Sequence, residues 1–199
     1  LCFEFCFECS AAGLDEMYIK YARISFAQMQ KDLLPPLKFT ALWVNSCQIS
    51  DSHVSICPNH QNGKTTAIES RFNVAAAGLL GYEMDLSKCT PADREAILGQ
   101  TAFYKEHRAL LQYGHYIRLD SFYDGKYAGW MKVSEDRRYA IATVVVKEFM
   151  LEDCGYLFRF DGLDPDALYS VEMRSQNNLK DAQKYTARGD LLMTLGLNF

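Results

Sequence analysis

The stretch from His53 to Leu86, HVSICPNHQNGKTTAIESRFNVAAAGLLGYEMDL, constrains the fold more than any other part of the chain. It opens with a short apolar run, His53 to Cys57, closed by Pro58. Proline restrains the residue before it to extended conformations, so the run reads as a buried strand end. A polar loop follows, with Asn62-Gly63 as its turn. Thr65 or Thr66 is placed to cap the next helix, and Glu69 stands three residues after Thr66, the capping-box spacing. Ile68, Phe72, Ala75, Ala76 and Leu79 share one helical face, and Gly81-Tyr82 is the expected stop. Strand, loop and helix in this order read as a piece of an α/β fold.

The pattern on either side differs. Phe3, Phe5 and Phe7 alternate with Glu4, Cys6 and Glu8, a strand signature. Leu14 to Leu34 reads as a helix carrying Met17, Tyr21, Ile24, Met29 and Leu33, ended by Pro35-Pro36. Beyond Leu86, Thr90 is a good N-cap, Pro91 suits the first helical position, and Asp93 puts negative charge at the positive helix end. That helix is expected to run to about Gln112, with Gly114 just past it. Ile97, Thr101, Tyr104, Leu110 and Leu111 form its buried stripe, and Lys105, Glu106 and Arg108 its wet face, with His107 a surface histidine.

From His115 the period shortens to that of strands: His115–Leu119, Tyr127–Val133, Tyr139–Phe149, Tyr156–Phe160, Leu168–Met173 and Leu191–Leu195. Turn clusters separate them, among them Ser134-Glu135-Asp136-Arg137 and Asp161 to Asp166. Tyr139 to Val146 is nearly continuously apolar and is expected to be central, buried on both faces. The expected fold class is therefore α/β plus all-β, with an α/β portion in residues 1–112 and an antiparallel β-sheet or sandwich in residues 113–199.

Composition narrows the function. A net charge of −4 with no Lys/Arg run argues against nucleic acid as a partner. No apolar stretch approaches the roughly 20 residues of a membrane span, so no membrane partner is expected. Leu1 to Phe7 carries Glu4 and lacks a basic leader, unlike a signal peptide. Seven cysteines at irregular spacing do not form a disulfide framework, which points to a reducing, cytoplasmic setting. Cys57-x-x-His60 with His53 and Cys2, Cys6 and Cys9 offers only one tight ligand pair where a structural zinc site uses two, so no metal or cofactor is expected.

The motif HVS-x-x-PNHQ-x-G-(R/K)-x-T, followed by a helix leading into GYE-(L/M)-DL, resembles the end of the catalytic barrel in glycoside hydrolase family 36, the retaining α-galactosidases. His53, Pro58, Asn59, His60, Gln61, Gly63, Gly81, Tyr82, Glu83, Asp85 and Leu86 stand where that pattern wants them, and Ala67 replaces its usual proline. Weaker similarity runs through QTAFYKEHRALLQYGHYIRL, WMKVSEDRRYAIATVVV and FRFDGLDPDALY. The resemblance implies a partial (β/α)8 barrel followed by an antiparallel β-domain. A whole barrel needs roughly 250 residues, and this chain has 199 and begins at Leu1, so a fragment is expected. Glu8-Cys9-Ser10-Ala11-Ala12-Gly13 is similar to the family's E-x-C-S-x-G-G strand end, which makes Cys9 a substrate-lining candidate, the alternative being a buried core cysteine. His53 is the second candidate for substrate contact; the alternative for His53 and His60 is hydrogen-bonding to backbone.

The same resemblance exposes what is missing. Retaining glycosidases use two carboxyl groups about 5 Å apart. The family's K-x-D nucleophile motif and its S-D-D-T-D acid/base motif are both absent, and only Leu37-Lys38-Phe39 resembles the helix that follows the latter. Lys180-Asp181, Asp120, Asp124, Asp164 and Asp166 fall in turns and loops. No catalytic residue is therefore assigned, and the isolated chain is expected to be inactive toward the α-galactosides that the family hydrolyses. Glu83 and Asp85 are expected to be structural, bridging to Arg71 or Arg94. Trp130, Tyr127 and Phe122 read as core aromatics, the alternative being a sugar-stacking platform. A non-catalytic carbohydrate-binding or assembly module is the competing reading, and the family resemblance adds homo-oligomerisation to the expectations.

Overall fold

The computed structural model describes residues 2–9, 19–22, 51–59, 63, 65–120, 127–146, 157–175 and 178–198. In chain order these form β1 (Cys2–Cys9), β2 (Ile19–Ala22), β3 (Asp51–Ser55), α1 (Ile68–Ala75) and β4 (Leu79–Glu83). A short 3-10 turn, Leu86–Lys88, leads into the long helix α2 (Pro91–Tyr113). There follow β5 (His115–Asp120), β6 (Tyr127–Val133), β7 (Tyr139–Val146), β8 (Leu157–Phe158), β9 (Leu168–Ser175), β10 (Asn178–Arg188), α3 (Gly189–Thr194) and β11 (Leu197–Asn198). Among the described residues no helix is long and apolar enough to cross a membrane.

The described residues build one parallel unit, one large antiparallel sheet and a two-stranded antiparallel pair, β8 with β11. β3 and β4 are parallel, in register from Asp51 opposite Leu79 to Ser55 opposite Glu83, with α1 as the crossover between them. Val54 and Phe72 are fully buried between strand and helix. The antiparallel sheet has the order β10-β9-β1-β7-β6-β5, with β2 paired to β1. β1 is hydrogen-bonded between β7 and β9, in the same sheet as the C-terminal strands, although the sequence groups it with the first 112 residues. The expected helix Leu14 to Leu34 lies largely outside the described residues, but Ile19–Ala22 within it is a strand, paired to β1 from Cys2 opposite Ala22 to Phe5 opposite Ile19.

The β6–β7 hairpin shows why the turn forms. Asp136 Oδ1 accepts from the Ser134 hydroxyl at 2.6 Å and from the Arg138 amide at 3.1 Å, and Arg137 takes φ of 58° to close it. β7 is buried from Ala140 to Val145, as a central strand should be. Gly129 on β6 is needed because a Cβ there would stand 2.4 Å from the Phe158 ring.

α2 joins the two parts. Its N-terminus carries a full capping box: Thr90 Oγ1 accepts from the Asp93 amide at 3.1 Å, and Asp93 accepts from the Thr90 amide at 3.2 Å. Pro91 occupies the first turn. The buried side of α2 is Gln100, Phe103, Tyr104 and Leu111. Phe103 meets Phe72 of α1 edge-on at 6.3 Å, and one hydrophobic cluster runs from Val54 and Phe72 through Leu111 to Met131, Val144, Phe158 and Val171.

The structure departs from the sequence expectations at several elements. Leu191–Leu195 is not a strand: residues 189–194 are helical. The strand β10 was not anticipated. α1 stops at Ala75, and Leu79 to Glu83, including the expected stop Gly81-Tyr82, is strand β4. The capping box expected at Thr66 and Glu69 is also absent, since Ala67 is the N-cap residue and makes no side-chain cap.

Candidate functional site

In parallel α/β units the strand C-termini and the loops that follow them carry the site. Here those ends are Ser55 of β3 and Glu83 of β4. Side chains alternate along a strand. Val54, Leu80 and Tyr82 pack toward the helices, Val54 in the core and the other two against it. His53, Ser55, Leu79, Gly81 and Glu83 therefore point to the opposite face. On that face His53 Nε2 lies 2.6 Å from Glu83 Oε2. Gly81, directly opposite His53, brings no side chain between them. The imidazole is about one-third exposed and the carboxylate mostly exposed, so the pair is fixed yet open to solvent on one side. Leu79 on the same face is 47 % exposed, an apolar residue left about half open.

The loop after β3 begins Ile56-Cys57-Pro58-Asn59 and turns at Gly63, whose φ is +71° and whose amide donates to the Asn59 carbonyl at 2.8 Å. Cys57 Sγ donates to the Thr66 carbonyl at 3.6 Å. Arg71 is buried. Its Nε donates to the Thr66 carbonyl at 3.1 Å and its Nη1 donates to the Ser55 carbonyl.

From the other side, α2 holds the start of β4 through Tyr104. This buried hydroxyl donates to the Gly78 carbonyl at 2.9 Å and accepts from the Leu80 amide at 3.2 Å and from Gln112 Nε2 at 3.0 Å. Tyr82 donates to Gln100 Oε1 at 3.0 Å, and burial pushes its phenol up to about 12.

Glu83 and Asp85 do not bridge to Arg71 or Arg94. Glu83 pairs with His53. Asp85 accepts from the Ser87 amide at 3.0 Å and the Ser87 hydroxyl at 2.7 Å, with Lys88 Nζ at 3.4 Å. The Ser87 hydroxyl, above all, holds the Asp85 carboxyl below its usual range. Arg94 donates to the Cys89 carbonyl at 3.1 and 2.9 Å. Asp85 thus caps a 3-10 turn, while Glu83 faces the same side as the histidine.

Cys9 is the last residue of β1, in register with Tyr169 of β9, whereas His53 belongs to the parallel pair. His60, Gln61 and Phe122 lie outside the described residues. Trp130 is only 3 % exposed, so its ring is a core element and offers no platform. Among the described residues no group of three His, Cys, Asp or Glu side chains is arranged to hold a metal ion. Arg71 and Tyr104 as hydrogen-bonding hubs were missed from the sequence. The available signal was a charged residue beside the apolar stripe of α1 and a tyrosine within that of α2.

A family model described as Melibiase matches residues 4–114, and one described as the glycosyl hydrolase family 36 C-terminal domain matches residues 127–199. "Alpha-galactosidase AgaA" of Geobacillus stearothermophilus is 40 % identical over 122 residues, covering 61 % of this chain and 17 % of its own length. "Alpha-galactosidase 1" of Pediococcus pentosaceus is 35 % identical over 148 residues, covering 74 % of this chain and 19 % of its own. The crystal structure of a variant of the Geobacillus stearothermophilus enzyme in complex with raffinose superposes with a TM-score of 0.68 at 29 % identity, covering 82 % of this chain and 21 % of that one. The chain thus spans less than a fifth of the length of these two relatives.

Proposed function

Because this chain belongs to the melibiase family, glycoside hydrolase family 36, we propose that it supplies the end of the (β/α)8 catalytic barrel and the C-terminal β-domain of an α-galactosidase. Residues 1–112 take the barrel role and residues 113–199 the β-domain role. The parallel β3–α1–β4 unit followed by α2 supports the first assignment. β1, hydrogen-bonded into the antiparallel sheet, does not.

The observation that carries the reading is the face with the His53–Glu83 pair. It lies on the side of the parallel strands turned away from the helices, which in a closed barrel is the inside, near the strand C-termini where substrates bind. Glu83 fixes the imidazole by taking its Nε2, which leaves the ring free to present its other nitrogen to a sugar hydroxyl. Cys9 is the second substrate-lining candidate. The substrate class is a terminal α-galactoside such as raffinose, which a relative carries in its structure. The mechanism of a retaining enzyme needs a carboxylate nucleophile and a carboxyl acid/base. Glu83 is committed to His53, and the motifs that carry those two groups in the family are absent from the sequence. The chain therefore contributes sugar contacts without bond cleavage, in a cytoplasmic setting.

The test is the purified 199-residue chain with nitrophenyl α-galactoside. No nitrophenol above the blank is expected. Release that scales with protein concentration would overturn the assignment of a binding face without catalytic carboxylates.

A further inference from the structure

Arg71 is a buried residue, 6 % exposed, and the two acceptors of its guanidinium are far apart in sequence. Ser55 is the last residue of β3, where the loop leaves the strand, and Thr66 stands just ahead of α1, where the loop returns. α1 has no side-chain cap at Ala67. No described carboxylate pairs with Arg71. A charge this deeply buried is costly unless hydrogen bonds compensate it, and the carbonyls at the loop's two ends provide them.

We propose that Arg71 is the positioning residue of the β3–α1 connection, holding Ser55, where the chain leaves β3, and Thr66, just ahead of α1, at a fixed separation. The importance of that position for sugar rests on the binding-face reading above; the clamp itself does not. A guanidinium is suited to the task because its planar fork presents N–H donors in two directions at once, whereas a lysine ammonium is a single point on a flexible stem. The residue touches no reacting atom and acts only through the loop it closes.

Two measurements on the full 199-residue chain test it. In the unaltered protein, the Arg71 Nε–H proton is expected to give a resolved, slowly exchanging NMR signal with a coupling across the hydrogen bond to the Thr66 carbonyl. In Arg71→Lys, the Gly63 amide, bonded within the loop, is expected to exchange about 10- to 100-fold faster, while the amides of β7 change far less. Arg71→Met is expected to match the lysine variant, showing that the fork and not the charge is required. An exchange-averaged Arg71 signal, or a Gly63 rate in the lysine variant within about twofold of the unaltered chain, would overturn the clamp. Equal acceleration at Gly63 and throughout β7 would also overturn it, since that is general destabilisation. Galactose titration separates the two claims. A chain that binds no galactose yet keeps the clamp signature refutes the binding face alone.

Discussion

Tyr104 shows how much one polar atom can organise. Its hydroxyl is buried and makes three hydrogen bonds, to Gly78, Leu80 and Gln112, at the point where α2 meets the start of β4. Periodicity placed Tyr104 in the buried stripe of α2, and it is there. What periodicity cannot convey is that its oxygen would satisfy two backbone groups between α1 and β4. Tyr104→Phe should cost about 1–3 kcal/mol, because the Gly78 carbonyl and Leu80 amide are left without a partner in a nearly dry site. Urea unfolding of the two proteins measures this, and a difference near zero would show that water takes the hydroxyl's place. His53 and Glu83 were both picked out in the sequence, but separately. Their pairing depends on the parallel register of β3 and β4 and on the absence of a side chain at Gly81, neither of which one strand's sequence contains. At the β6–β7 turn, the Ser134 hydroxyl and then the Arg138 amide hold the Asp136 carboxyl below its ordinary 3.8. A carboxyl lowered on folding stabilises the protein fully above its unfolded value, and that contribution is lost as pH falls through the folded one. Asp136→Asn should therefore lose less stability than the unaltered chain on acidification below pH 3.8, as acid-titrated thermal melts would report.

The three described α-helices differ in how legible they are. α2 was readable at both ends because its signals are local: Thr90, Pro91 and Asp93 at the start, and Gly114 beyond Tyr113. Thr90→Ala removes the hydroxyl acceptor of the capping box and should cost about 1 kcal/mol, with far-UV ellipticity on urea titration as the readout. A null effect would mean that packing of Phe103 and Leu111 alone sets the helix start. α1 was readable as a helix but not in its limits. Its entry is held by Arg71, which ties the Thr66 carbonyl to that of Ser55 on β3, and its exit is decided by the parallel pairing of Leu79 to Glu83 with β3. α3 was read as a strand because Leu191 to Leu195 is a short apolar run, which periodicity alone cannot assign. The structure makes it a helix where the Gly189 amide bonds the Ala167 carbonyl and Asp190 Oδ1 accepts from the Leu191 amide. Gly189 also passes so close to the Asp164 carbonyl that a Cβ would stand 2.0 Å from it. β10 was invisible for the opposite reason: at the edge of the described sheet, paired to β9, it carries polar residues such as Gln183, Lys184 and Thr186 where no apolar alternation is required.

For the whole molecule, the change from helical to strand period near His115 was plain in the sequence, and the two family matches, residues 4–114 and 127–199, lie on either side of it. The continuity of the core across that change was not plain. Leu111 of α2 is buried in the same cluster as Met131, Val144 and Phe158 of the β-rich part. Nor did the pattern reveal that β1 would enter the antiparallel sheet, because an alternating strand fits either a barrel or a sheet until its partners are known. The central question is whether the face carrying His53 and Glu83 is the one that meets sugar. The most direct measurement is a galactose titration of the histidine-labelled chain, whose four histidines, His53, His60, His107 and His115, report from different places. The expected result is a saturable shift of the His53 ring signals that Glu83→Gln weakens and that glycerol at the same concentration does not reproduce. A silent His53, or a saturable response confined to His115 in the β-rich part, would contradict it.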